Sequence, residues 1–101
     1  MKIIALEKDL SGRTPDEFTP SLKRAEAIRV WELQQSGVLR EIYFRQERSS
    51  AILILECEHA DAARQVLATL PLVQAGLIDF EVIPLVPYTG FARLFTLPAD
   101  N

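Results

Sequence analysis

Apolar and polar residues alternate with period two along some stretches of this chain and recur every three to four residues along others, so strands and helices can be told apart by period alone. Lys2 to Lys8 is apolar and β-branched, closed by Asp9 and Ser11-Gly12, and predicts a first strand. Two helix-start signals follow. Thr14-Pro15-Asp16-Glu17 has the capping-box pattern, and Thr19-Pro20 pairs an N-cap with a proline suited to the first helical position. We place the helix start at Thr19, with a short turn at Thr14. Ser21 to Gln35 contains only residues that tolerate a helix interior, with Leu22, Ala25, Ile28 and Trp31 at i, i+3 spacing and Leu33 widening the stripe. Gly37 supplies the left-handed residue that ends it.

Val38 to Glu47 and Ser50 to Glu58 read as two strands of a hairpin turning near Arg48-Ser49. Alternation gives one nearly apolar face (Ile42, Phe44, Ala51, Leu53, Leu55, Cys57). The other is mixed (Leu39, Glu41, Tyr43, Arg45, Ile52, Ile54, Glu56). Ala60 to Leu70 is a second helix, with Ala63, Val66, Leu67 and Leu70 inward, His59 or Asp61 as its cap, and Pro71 as its stop. Leu77 to Val86 is the last strand, and Pro84 assigns its end to a sheet edge.

The order strand, helix, strand, strand, helix, strand predicts an α+β, ferredoxin-like βαββαβ subunit with an antiparallel four-stranded sheet and both helices on one face. The bare face is partly apolar, and pairing two such faces would make a dimeric α/β barrel with a pocket of mixed polarity. Residues 1–86 complete that domain. The tail, residues 87–101, carries Phe91, Leu94, Phe95 and Leu97, which is too apolar for water and is expected to cover a neighbouring subunit.

Composition narrows the function classes. The chain has 101 residues, 49% hydrophobic and 25% charged, with net charge −3. That is one globular domain without a basic patch, which argues against nucleic acid as a partner. Cys57 stands alone, so no disulfide within the chain and no Cys-rich metal site is expected, and it belongs to the apolar face as core. No stretch reaches the roughly 20 apolar residues of a membrane helix. The N-terminal apolar run is too short for a signal peptide, so a cytoplasmic location is expected. No glycine-rich phosphate loop or His/Cys cluster calls for a cofactor or metal. His59 fits a cap better than a catalyst, and Trp31 fits a packing anchor.

With a two-residue hairpin turn, Glu41 and Glu56 share the mixed face on adjacent strands. Two carboxylates in a partly enclosed site repel, which raises the proton affinity of one and suits it to proton transfer at neutral pH. Tyr43 and Arg45 lie on the same strand face. Arg45 matches a substrate carboxylate and Tyr43 a developing enolate oxygen. Against this stands the plain reading of solvated or paired charges and packed aromatics.

The segments Leu22-Lys23-Arg24-Ala25-Glu26, Glu32-Leu33-Gln34-Gln35-Ser36-Gly37, Arg40-Glu41-Ile42-Tyr43, Leu70-Pro71-Leu72 and Asp79 to Leu85, in that order and spacing, resemble the muconolactone isomerases. The resemblance covers over half the chain. It implies dimerising βαββαβ subunits, cofactor-free proton transfer on a lactone or related carboxylated ring in aromatic catabolism, and a small-molecule substrate. Lys23 and Glu26 match the family's first-helix pattern, which implies a pocket rim contributing to substrate binding. The chain departs from the pattern at Glu41, where many of these isomerases carry histidine, and in the slightly longer segment Val73 to Ile78. Glu41, Tyr43 and Glu56 are therefore the expected catalytic groups, and Arg45, Lys23 and Glu26 the expected binding groups. A non-catalytic ligand-binding or interaction subunit of the same fold is the first alternative, and a cofactor-free monooxygenase-like barrel the second.

Overall fold

The structure, a computed structural model, describes residues 1–98. The end of the expected tail, residues 99–101, lies outside the described residues. Strands β1 (Lys2–Asp9), β2 (Leu39–Phe44), β3 (Ala51–Glu56) and β4 (Ile78–Pro84) form one antiparallel sheet in the order β2-β3-β1-β4. Helices α1 (Pro20–Ser36), α2 (Ala60–Leu67) and α3 (Pro71–Gln74) complete the predicted ferredoxin-like subunit. The core is Ile3, Ala5, Leu53, Leu55, Ile78 and Phe80 from one sheet face, closed by Leu33, Ala63, Leu67 and Leu70. The opposite face carries Ile4, Leu6, Ile52, Ile54 and Ile83, each only half-buried.

Local chemistry explains the boundaries. Glu17 Oε2 accepts from the Thr14 amide at 2.7 Å and holds a 3-10 turn over Pro15–Glu17, while Thr19 Oγ1 accepts from Leu22 N–H and opens α1. Gly37 ends α1 at φ +87°, a conformation that disfavours any side chain with a Cβ. His59 Nδ1 accepts from Ala62 N–H at 3.0 Å and caps α2.

Four details of the sequence reading are corrected. Pro71 does not end α2, which stops at Leu67; it opens the separate α3 as its first residue, where its missing N–H is harmless. The hairpin loop is longer than two residues, because Arg45 N–H bonds Ser50 C=O and the turn spans Gln46 to Ser49. Glu41 therefore faces Ile54 across the ladder and not Glu56, although both stay on the same sheet face. A bulge at Arg40 advances the register between Leu39 and Glu41 and turns Leu39 into the core, 1% exposed, away from the mixed face. Finally, α1 is rotated from its expected phase. Ile28 and Trp31 are 50% and 62% exposed, while Leu22, Glu26, Arg29, Val30 and Leu33 turn toward the protein. Trp31 is thus no packing anchor within this chain.

The tail leaves β4 at Pro84 and forms a 3-10 segment, Gly90–Phe95, in which Tyr88 and Phe91 meet edge to face at 4.9 Å. Phe91, Leu94, Phe95 and Leu97 are all mostly exposed.

Candidate functional site

The helix-covered side of the sheet is not filled to its end. Beyond the core, Ile42 and Phe44 of β2 line a cavity of about 350 Å³ instead of packing beneath the helices. Its remaining walls are Ala27 and Val30 of α1, Ala51 and Leu53 of β3, Leu70 and Leu72 around the start of α3, and Ile78 and Phe80 of β4. Among the described residues, three charged side chains line this apolar space: Glu7, Lys23 and Glu26. An outer lobe of about 550 Å³ adjoins it, sharing Glu7, Lys23, Phe44, Leu72 and Ile78 and adding Asp9, Arg13, Phe18 and Ser49 among its walls. The volume falls in the range of small-molecule sites.

Glu26 sits on the second turn of α1. Its Oε1 accepts the Leu72 amide at 2.9 Å, one of the donors at the start of α3 that no helix carbonyl can satisfy. Burial pushes its carboxyl above the usual carboxylate range; the Leu72 bond opposes this and the charge of Glu7 adds to it. Glu7 ends the inward row Ile3, Ala5, Glu7 on β1. Its Oε1 accepts the Ala51 amide at 3.0 Å, standing in for the next ladder bond beyond Leu6 and Ile52. Glu7 is also raised, first by burial and then by Asp9, against the Ala51 bond and Arg48. The repulsion between the two carboxyls thus appears on Glu26, while Glu7 owes its rise to its own surroundings. Lys23 lies one turn before Glu26 on α1 and lines both lobes, as Glu7 does.

The other sequence-derived candidates lie elsewhere. Glu41 and Tyr43 project from the far face of the sheet, where Tyr43 Oη donates to Glu41 Oε1 at 2.6 Å, a bond that pushes the phenol's pKa up. Glu56 pairs with the Met1 ammonium at 3.2 Å. Arg45 forms an ion pair with Glu47 at the hairpin turn. None of these four lines the cavity, whereas Lys23 and Glu26 do, from the helix side and not from the bare face of the sheet. Glu7 and Arg13 were missed. Glu7 had a legible signal, a carboxylate on the inward side of a strand whose other inward residues are Ile3 and Ala5; Arg13, in an irregular loop, had none. Among the described residues no group of three His, Cys, Asp or Glu side chains could hold a metal ion, and no helix is long and apolar enough to cross a membrane.

The fold and the cavity define a small α+β, ferredoxin-like subunit with an acid-lined apolar cavity between its first helix and its sheet. A sequence profile of the family described as muconolactone delta-isomerase matches residues 4–90. The chain belongs to that family. A solved muconolactone isomerase superposes with a TM-score of 0.68 at 17% identity, covering 100% of this chain and 99% of that one. The 5-chloro-2-hydroxyhydroquinone dehydrochlorinase TftG of Burkholderia phenoliruptrix, solved with 2,5-dihydroxybenzoquinone, superposes with a TM-score of 0.67 at 16% identity, covering 89% and 98%. No curated protein sequence matches significantly.

Proposed function

We propose that the protein is a cofactor-free enzyme that moves a double bond in a lactone or related carboxylated ring by proton transfer, with Glu26 as the acid–base group. The observation carrying this reading is the half-buried Glu26 in an otherwise apolar cavity, its carboxyl raised and one oxygen held by the Leu72 amide. A raised carboxyl is a stronger base than an ordinary one and takes a proton from carbon more readily near neutral pH. Partial burial in the cavity also reduces the water that competes for it. Removal of a proton from a ring carbon conjugated with the carbonyl leaves an enolate; the Lys23 ammonium beside the cavity offsets that negative charge, and the proton returns at another ring carbon. Membership of the muconolactone delta-isomerase family and the likeness to a solved muconolactone isomerase support this reaction, and the quinone bound by TftG supports a planar ring as the kind of ligand. Arg13 in the outer lobe supplies a guanidinium for a substrate carboxylate, a role the sequence had suggested for Arg45.

The same proposal includes assembly. The half-buried row Ile4, Leu6, Ile52, Ile54 and Ile83 on the uncovered sheet face and the exposed apolar tail support pairing with a second copy, sheet against sheet, with the tail laid on a neighbour.

Proton NMR of muconolactone with the pure protein in deuterated buffer tests the chemistry. Double-bond migration with deuterium uptake is expected, and Glu26→Gln should lower the rate by about 10²–10⁴-fold while still melting cooperatively. An unaltered spectrum at high wild-type concentration, or an undiminished rate in the variant, rejects the reading.

A further inference from the structure

The cavity holds one titratable group that the reaction above leaves idle. Glu7 comes from β1 and Glu26 from α1, so the two carboxyls reach the same apolar space from different elements. Each is half-buried, and each has Oε1 tied to a backbone amide of a third element, Ala51 of β3 for Glu7 and Leu72 of α3 for Glu26. A carboxyl held by one oxygen keeps the other for a ligand. We propose that Glu7 is the second proton-transferring group of the cavity, delivering a proton to the ring carbon that gains hydrogen while Glu26 receives one from the carbon that loses it. The inference rests on the acid–base reading of Glu26.

The step balances without any co-reactant. One C–H bond breaks and its proton goes to the Glu26 carboxylate; the electron pair moves into the conjugated system, and the bond shift ends with a new C–H bond formed by the Glu7 proton. The product leaves behind neutral Glu26 and ionised Glu7, and one proton exchanged through solvent restores the starting pair. Charge in the cavity favours such a pair holding a single proton. Both carboxyls are raised by burial, and two neighbouring carboxylates resist joint ionisation. The other charges facing Glu7 are Asp9, Lys23 and Arg13 in the outer lobe, and Arg48 near the hairpin turn. Asp9 assists proton retention on Glu7 and Arg48 opposes it.

The partition between exchange and isomerisation tests the assignment. Wild type, Glu7→Gln, Glu7→Asp and Glu26→Gln are compared by NMR on muconolactone in deuterated buffer, with melting curves recorded on each. In Glu7→Gln, Glu26 still removes the ring proton, so deuterium enters recovered substrate at a rate within about threefold of wild type. Isomerisation falls by about 100-fold or more. Glu7→Asp retains a proton but withdraws it by one methylene, and its isomerisation rate should lie between the two. In Glu26→Gln, exchange and isomerisation fall together. Isomerisation at the wild-type rate in a folded Glu7→Gln protein overturns the role of Glu7 while leaving Glu26 standing. Should Glu7→Gln fail to melt cooperatively, Glu7→Asp decides alone: a wild-type isomerisation rate overturns the proposal. A wild type that neither isomerises muconolactone nor exchanges its ring protons overturns the acid–base reading itself, and the role of Glu7 with it.

Discussion

The two faces of this sheet carry the same residue type in opposite circumstances. On the helix-covered face, Glu7 and Glu26 lie half-buried in an apolar cavity, each holding a backbone amide, and both are raised above the usual carboxylate range. On the uncovered face, Glu41 binds the Tyr43 hydroxyl and Glu56 the Met1 ammonium. A glutamate becomes a base for carbon acids through loss of water around it, and the fold provides that loss only where helix α1 and the start of α3 roof the sheet. The two glutamates of the uncovered face each have a partner in the open and neither lines the cavity.

The largest expected effect sets the two faces directly against each other. Glu26→Gln should lower the isomerisation rate by about 10²–10⁴-fold, and Glu41→Gln should leave it within about threefold. Steady-state kinetics on both variants under one set of conditions decides the matter. A large loss in Glu41→Gln with little change in Glu26→Gln would reverse the comparison and move the reaction to the uncovered face.

A smaller effect compares neighbours on β3. Leu53 is 1% exposed and Ile54, the next residue, is half-buried on the other face. Leu53→Ala should cost about 2–5 kcal/mol in denaturant unfolding, because it removes transferred area and leaves a void beside the cavity. Ile54→Ala in dilute protein should cost about 1 kcal/mol or less, scaled to its partial burial. If a second copy covers the uncovered face, the cost at Ile54 grows with protein concentration while the cost at Leu53 does not. A cost at Ile54 that stays constant over a hundredfold change in concentration would argue against sheet-to-sheet pairing.

Much of the architecture was legible because it depends on period and punctuation. The four strands, the glycine stop of α1 at Gly37, the Thr19 cap and the edge position of Pro84 all follow from local rules, and the structure keeps them. The departures occur where one residue changes parity or phase. A single bulge at Arg40 moved Leu39 into the core, and a longer hairpin loop removed Glu41 from opposite Glu56. The rotation of α1 has a more instructive cause. A stripe drawn through apolar residues alone selects Ala25, Ile28 and Trp31 and passes over the polar Glu26 and Arg29. Both turn inward, Glu26 to the Leu72 amide and Arg29 to the Thr69 hydroxyl at 2.9 Å. Inward polar residues held by hydrogen bonds therefore broke the apolar pattern by which the helix was phased. The family resemblance pointed to Lys23 and Glu26, but the period-two argument drew more attention to the other face of the sheet.

The smallest expected effect concerns how stability follows pH, and it measures the strain that the covered face places on its acids. Glu26 is raised in the folded protein relative to an ordinary carboxyl, chiefly by burial. Between the ordinary value and the raised one, the folded state binds more protons than the unfolded state, so stability falls as pH rises through that window. The contribution is fully present below the ordinary carboxylate pKa and is lost once pH passes the folded value. Glu7 acts in the same direction. A glutamine at position 26 can still accept from the Leu72 amide but has no ionisation to suppress. The melting temperature of Glu26→Gln minus that of the wild type should therefore become more positive from pH 4 to pH 8. Because the carboxyl is only half-buried, solvent screens part of the cost, and the change should be on the order of 1–3 °C. Calorimetry across that range reads the sign. A difference that becomes more negative with rising pH would mean that the ionised form of Glu26 is held more tightly in the folded state than in the unfolded one. The covered face would then stabilise its carboxylate, and burial would no longer account for the contrast between the two faces.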